Sequence, residues 1–237
     1  MPDLTSSVVL VTGANGGIGT QFVREALERG SSKVYATARS PRDWDDPRVV
    51  ALRLDVTDPE SIAAAVAAAP DVTVLVNNAG VSPSTGSLLN LSEEELRGSM
   101  ETNFFGPLRL ARAFTPVLAA APGAALINIH SVLSWFATAG VYSVSKAALW
   151  SATNALRLEL APGGVHVVGV HAGWVDTPMA AHASGPKLDP ADLVRQVFDA
   201  VEADEFEVLA DEASKQVKGA LSAPIEALYP QLASATR

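Results

Sequence analysis

The sequence predicts an α/β fold, a doubly wound and mainly parallel sheet of seven strands with helices on both faces. Three observations carry that prediction. Short β-branched runs alternate with longer stretches of helical period through most of the 237 residues. The short runs are apolar at nearly every position, as strands covered on both faces must be. Glycines, prolines and capping residues punctuate the boundaries.

In chain order, strands are expected at residues 8–12, 33–38, 49–54, 72–77, 124–130, 165–171 and 207–209, with helices at 18–29, 59–69, 92–120, 142–160 and 190–203. Asp58-Pro59 and Asp189-Pro190 each set a capping side chain before a proline suited to the first helical position. Ser92 with Glu95 three residues on forms a capping-box pattern, so the acidic run Glu93-Glu94-Glu95 reads as a helix start rather than as catalytic carboxylates. Pro162-Gly163-Gly164 ends the next long helix and turns the chain into a strand. Only the ten residues 39–48 join the second and third strands, too few for a full crossover helix, so that helix is abbreviated to a turn or a loop. Linkers, low-complexity tracts and internal repeats are absent, and a single domain over 1–237 is expected.

Composition narrows the function. A formal net charge of −9 argues against a nucleic-acid-binding surface and weakly against docking on an acidic carrier protein. There is no cysteine, which fits a reducing compartment. His130, His166, His171 and His182 are scattered without the spacing of a metal cage. The N-terminus lacks a basic leader, and no apolar run reaches membrane length. A cytoplasmic protein without membrane, metal or nucleic-acid partners is expected.

The first strand delivers Thr12-Gly13-Ala14-Asn15-Gly16-Gly17-Ile18-Gly19 directly into a helix. One glycine allows the tight turn, another lets backbone approach a pyrophosphate, and a third lets helix and strand pack closely. The helix N-terminus then offers unpaired N–H groups to phosphate oxygens. A nucleoside-triphosphate loop would need Lys followed by Ser or Thr after its last glycine, and Gly19 is followed by Thr20. This is the dinucleotide turn of a Rossmann-type fold. About twenty residues on, where such domains select their cofactor, stands Ala38-Arg39-Ser40. An arginine there accommodates a ribose 2′-phosphate in bidentate fashion, and Arg42 adds charge. NADP(H) is expected over NAD(H), with Asp43 the counter-argument and a solvated surface charge the plainer reading of Arg39.

Tyr142-Ser143-Val144-Ser145-Lys146 carries the chemistry. Four residues are about one helical turn, so the phenol and the ammonium share a face. With the Ser131 hydroxyl they suit proton transfer at a carbonyl or alcohol. A phenol with a pKa of about 10 is a poor base near neutrality, and lowering it by ~3 units takes roughly 4 kcal/mol. An ammonium at ~4.5 Å supplies about that much at an effective dielectric near 20. Plainer readings exist for each residue: an amphipathic helix start for Tyr142 and Lys146, a strand-end cap for Ser131. His130, on the opposite side of its strand from Ser131, reads as a packing residue.

These residues together resemble the short-chain dehydrogenase/reductase family, in its compact branch. Thr12 to Gly19 matches the family's TGxxxGIG signature, and Asn77-Asn78-Ala79-Gly80 its NNAG motif. Ser131, Tyr142 and Lys146 match its catalytic serine, tyrosine and lysine, and Asn103 its active-site asparagine. The resemblance implies cofactor contacts from Gly13, Asn15, Gly17, Ile18, Gly19, Arg39, Asp55, Val56, Asn78, Ala79, Gly80, Tyr142, Lys146, Gly173, Val175 and Thr177. It further implies that Lys146 holds the nicotinamide ribose, that Ser131 bonds the substrate oxygen, and that Asn103 anchors a relay water. Two features depart from the pattern. Ala172 replaces the usual proline before Gly173, and Ser131 precedes Tyr142 by only eleven residues, leaving Ser134 as a competing hydroxyl.

Trp135, Phe136, Trp174 and Met179, with Val141 and His182, are expected to border the substrate. That rim is apolar and lacks a cation for a carboxylate or phosphate. The expected activity is therefore reversible hydride transfer between NADP(H) and a neutral hydrophobic ketone or aldehyde. The alternatives are a non-catalytic NADP-binding sensor or partner-binding module on the same fold, and sugar-nucleotide epimerase chemistry. The helices starting at Ser92 and Tyr142 resemble those through which family members form homodimers and homotetramers. Residues 211–237 read as helical with a break at Pro224 and no assigned role.

Overall fold

The computed structural model describes residues 3–83 and 87–234. Its seven strands are β1 (Val8–Thr12), β2 (Lys33–Ala38), β3 (Val49–Arg53), β4 (Val74–Asn77), β5 (Ala125–Ile129), β6 (His166–His171) and β7 (Glu207–Leu209), joined in one sheet of order β3-β2-β1-β4-β5-β6-β7. Every neighbouring pair is parallel, so the sheet is wholly rather than mainly parallel. The chain winds outward one way from β1 and the other way from β4. Between those two strands lies the switch point at which α/β sheets open a crevice at their carboxyl ends.

Alternation along each strand divides the core in two. Val9 and Val11 of β1 face α1 (Gly17–Glu28) and α6 (Pro190–Glu202), where Phe22 meets Phe198 edge-on at 5.4 Å. Leu10 faces the opposite layer with Ile62 of α2 (Pro59–Ala68), Phe114 of α4 (Gly106–Ala120) and Leu156 of α5 (Gly140–Leu160). Residues 39–48 contain no helix. Their Trp44 packs against the first core and carries the Arg42 guanidinium over its ring at 4.1 Å.

The helix expected over 92–120 is broken. α3 (Glu93–Met100), capped by the expected Ser92–Glu95 box, leads through a π-helical turn at Glu101–Phe105 into α4. Two local features account for the break. Pro107 cannot donate to the carbonyl four residues back, and a side chain at Gly106 would press on Val56, with a Cβ 3.0 Å from its Cγ2. Single-turn π insertions of this kind re-aim one side chain. Here that side chain is Asn103, wholly buried. Beyond β7 the chain forms α7 (Glu212–Gly219), α8 (Ile225–Leu228) and α9 (Gln231–Ser234), with Pro224 before α8 as expected. Residues 235–237 lie outside the described residues.

Arg29 ties α1 to α6 through Asp199 and Glu202, at 2.6 and 2.7 Å, yet Asp199 is 70 % exposed. Exposed pairs contribute about 0–1 kcal/mol, so the apolar contact beneath them governs the α1–α6 interface. Phe198→Ala is expected to cost about 3–5 kcal/mol and Asp199→Ala under about 1 kcal/mol in urea unfolding, and equal costs would refute that ranking.

Candidate functional site

The carboxyl ends of β1 and β4 are locked together by Thr12 and Asn78. Thr12 Oγ1 accepts from the backbone N–H groups of Asn78 and Ala79, at 2.9 and 3.0 Å, and Asn78 Nδ2 donates to Thr12 O at 2.8 Å. Gly13 and Gly17 adopt left-handed backbone, at φ +68° and +52°. At Gly19 any Cβ would overlap the Gly13 carbonyl oxygen, so helix and strand touch where the sequence pattern requires. α2, α3, α6 and α7 each begin under a capping side chain, whereas α1 follows Gly16 with no side-chain cap and no acidic residue in its first turn. Its first N–H groups are therefore left without a side-chain partner, the arrangement that suits an anion. Ile18 sits half-buried in this turn, and Asn15 Nδ2 ties the turn to Ser40 O at 2.7 Å.

Arg39 is exposed at the end of β2 with no ion pair among the described residues. Asp55 is held below the usual carboxylate range, first by the backbone N–H and hydroxyl of Thr57, at 2.9 and 2.7 Å, and more weakly by Arg39 and Arg53. Val56 is largely buried against Gly106.

Gly80 is the meeting point of the remaining groups. A Cβ there would lie 3.3 Å from Asn103 Oδ1 and 3.7 Å from Lys146 Nζ. Asn103 clamps Val81 through both its backbone groups, each at 2.9 Å, and donates to Ser145 Oγ at 3.0 Å. Tyr142 and Lys146 share one face of α5, with Nζ 5.8 Å from the phenol ring centroid. Ser131 follows β5, hydrogen-bonds the Tyr142 side chain, and lies 3.4 Å from Ala172 O. Ser134 is instead buried with its hydroxyl unpartnered among the described residues. Asn103, Ser131, Tyr142 and Lys146 thus converge at the crevice mouth.

The electrostatics correct the expected division of labour. Lys146 Nζ donates to Ile129 O at 2.7 Å and turns its charge on that carbonyl. Burial raises the Tyr142 phenol to about 12, against a smaller opposing effect of its hydrogen bond with Ser131. Burial also draws Lys146 down to about 8. Desolvation outweighs the attraction that was expected to acidify the phenol.

Gly173, Val175 and Thr177 run back across the crevice. Gly173 N–H donates to Asp211 Oδ2 at 2.6 Å, Val175 bridges Leu188, and the Thr177 methyl meets Gly17, 3.3 Å from where its Cβ would stand. Asp211 was not legible as a site residue. Its only sequence signal is that of a helix cap, which it also is, accepting from Ser214 N at 2.8 Å.

The expected substrate rim needs revision. Trp135 is buried, stacked on His171 at 3.8 Å, and Val141 is buried too, so neither borders open space. Trp135 directly follows a short 3-10 turn at Val132–Ser134 that packs on α7, and Val141 lies in the first turn of α5. Trp174 and Met179 are about half exposed, and His182 meets Trp174 edge-on at 5.3 Å. Phe136 is half-buried and stacked on Tyr229, whose hydroxyl accepts from Ala137 N at 2.8 Å. His130 is not a plain packing residue, because both its ring nitrogens are hydrogen-bonded, to His171 and Thr153.

Residues 7–187 match the family described as short chain dehydrogenase. A Burkholderia cenocepacia short chain dehydrogenase, solved in complex with NADP, is 36% identical with a TM-score of 0.90, over 98% of this chain and 99% of that one. An NADPH-bound carbonyl reductase from chicken fatty liver is 31% identical with a TM-score of 0.77, over 83% and 91% of the two chains. An NADPH-dependent 1-acyldihydroxyacetone phosphate reductase of Schizosaccharomyces pombe is 34% identical over 77% of this chain, which spans 64% of that relative's length.

The Asp211 carboxylate holds a site segment and a helix end at once. Asp211→Ala is expected to cost about 1–2 kcal/mol and to speed hydrogen exchange at the Gly173 amide. Unchanged protection at that amide would show the 173–177 segment to be held by other contacts.

Proposed function

The chain belongs to the short chain dehydrogenase family, and on that premise we propose that it is an NADP(H)-dependent carbonyl reductase acting on neutral hydrophobic ketones or aldehydes. The observation that carries this reading is the convergence of Asn103, Ser131, Tyr142 and Lys146 around Gly80 at the switch-point crevice. The uncapped start of α1 and the side-chain-free surfaces of Gly13, Gly17 and Gly19 fit a pyrophosphate. Arg39, exposed and unpaired among the described residues, suits the 2′-phosphate of NADP(H) over NAD(H), with Asp55 and Val56 flanking the adenine side. Asn78, Ala79, Gly80, Gly173, Val175 and Thr177 line the nicotinamide side. The cofactors named for the Burkholderia and chicken neighbours support the same choice.

A dinucleotide held there would supply the hydride for the carbonyl carbon. Tyr142 gives its proton to the carbonyl oxygen, and Ser131 donates a hydrogen bond to that oxygen. A phenol near 12 stays protonated at neutral pH, which favours its role as acid in the reducing direction. Lys146, charged below about pH 8, steadies the phenolate that the transfer leaves behind. Asn103 keeps Val81 and the α5 start in place. Phe136, Trp174 and Met179 offer an apolar border without a cation. Val144 and Leu158, exposed on α5, support assembly as a homodimer or homotetramer of single-domain chains.

NADPH oxidation with a ketone panel tests this directly. Tyr142→Phe is expected to lower kcat by about a hundred- to ten-thousand-fold, with aryl or medium-chain ketones preferred to keto acids. Equal rates in the two proteins would remove Tyr142 from the chemistry. The reduction rate is expected to be flat below about pH 8 and to fall above it as Lys146 loses its proton, and Lys146→Met is expected to abolish that limb. Arg39→Ala is expected to raise KM for NADPH at least tenfold, about the value of a charged hydrogen bond, with NADH unaffected; a parallel loss for both cofactors would assign Arg39 another task.

A further inference from the structure

Beneath Ser131 lies a polar row in which the order of donors is forced. His171 Nδ1 stands 3.1 Å from Ser131 O, a carbonyl that can only accept, so Nδ1 carries the proton. His171 Nε2 is then the acceptor for His130 Nδ1 at 3.0 Å. His130 Nε2 in turn accepts from Thr153 Oγ1 at 2.9 Å. Thr153 Oγ1 accepts from Asn128 Nδ2 at 2.9 Å, and Asn128 Oδ1 accepts from Asn77 Nδ2 at 2.9 Å. Thr153 could turn its proton to Leu149 O at 2.8 Å, but His130 Nε2 would then be stranded. Asn77 Oδ1 has no partner among the described residues, as expected at the head of a row whose every bond donates forward.

Both rings are buried, with Trp135 stacked on His171 at an angle of 15°. Glu207 Oε1 lies 3.6 Å from His171 Nε2, beyond hydrogen-bond reach, and its other oxygen pairs with Lys218. Burial drives His130 well below its ordinary pKa, and burial also draws His171 down to about 3, with Lys218, Arg157 and Lys146 opposing added charge. Aligned donors in a dry interior strengthen one another.

We propose that His171 is a positioning residue for Ser131, with the row Asn77–Asn128–Thr153–His130 behind it fixing the ring tautomer that grips the Ser131 carbonyl. The proposal rests on the reading of Ser131 as the group that bonds the substrate oxygen. The same ring sets the plane of Trp135. The Ser131 carbonyl also accepts from Ser134 N at 3.0 Å. The residue is further held by Val132 N donating to Ala172 O at 2.9 Å, by its own hydroxyl on Ala172 O at 3.4 Å and by its cap on Leu133 N at 3.2 Å. The Ser134 bond closes the local 3-10 turn, whereas His171 Nδ1 ties the same carbonyl to β6, 40 residues away in the chain.

The first test uses the full chain labelled with ¹⁵N-histidine. Long-range ¹H–¹⁵N correlation is expected to show His130 and His171 as Nδ1–H tautomers between about pH 6 and 8; an Nε2–H tautomer at His171 overturns the proposal. The second compares variants. His171→Leu removes the donor, whereas His171→Asn can present an amide N–H where Nδ1–H stood. H171L is expected to lower kcat about ten- to a hundredfold with NADPH affinity retained, and H171N to restore most of that loss. Wild-type kcat in H171L, or equal losses in H171L and H171N, refutes it. The tautomer measurement decides on the wild-type protein even if H171L fails to fold. Full activity in Tyr142→Phe would count against the reductase reading alone, leaving the tautomer result to stand on its own.

Discussion

A lysine ammonium held out of water sets the terms for everything around it. Lys146 is 4 % exposed and, among the described residues, donates to Ile129 O alone. Removing such a charge from solvent costs on the order of several kcal/mol, and the depressed pKa of Lys146 is the direct expression of that cost. The surrounding structure tolerates it by precise crowding. Gly80 leaves no side chain between Nζ and Asn103, and the π turn carries Asn103 inward to clamp Val81. A regular helix over 92–120 would have turned Asn103 elsewhere. Perturbed groups gathered in a crevice are more frequent at functional sites, although buried structural networks such as His130 and His171 show them too.

The walls of the crevice come from widely separated parts of the chain. The glycine turn after β1, the segment after β4 and the segment after β6 meet at the carboxyl edge of the sheet, each pinned by side chains aimed at backbone. Thr12 and Asn78 join the first two, and Asp211 reaches from the start of α7 to Gly173. The C-terminal region is thereby part of the site's scaffold rather than an appendage. Tyr229 extends the same logic by stacking on Phe136 and bonding Ala137. The net effect is a rim whose open positions are Phe136, Trp174 and Met179, while Trp135 has moved inside to cover His171.

The strands, the glycine turn, the absence of a helix over 39–48 and the shared face of Tyr142 and Lys146 were all legible from the residues, because each depends on near neighbours in the chain. Periodicity, capping and the i,i+4 relation are local rules, and β2 and β7 fall on the expected residues. Other features depend on groups far apart in sequence. Trp135 and Val141 looked like rim residues because burial by distant segments leaves no local trace. The phenol was expected to be acidified because spacing reveals a nearby cation but not the burial that outweighs its attraction. His130 looked like packing because its partners lie 41 and 23 residues away.

By itself, then, the sequence determined the doubly wound parallel sheet, the glycine turn after β1 and the shared helix face of Tyr142 and Lys146, since these follow from short-range geometry. Tertiary structure alone decided how those groups are charged, which aromatic residues face the crevice, and how the Ser131 carbonyl is held. Those properties depend on dehydration and on hydrogen-bond direction, and both arise only when distant segments pack against one another.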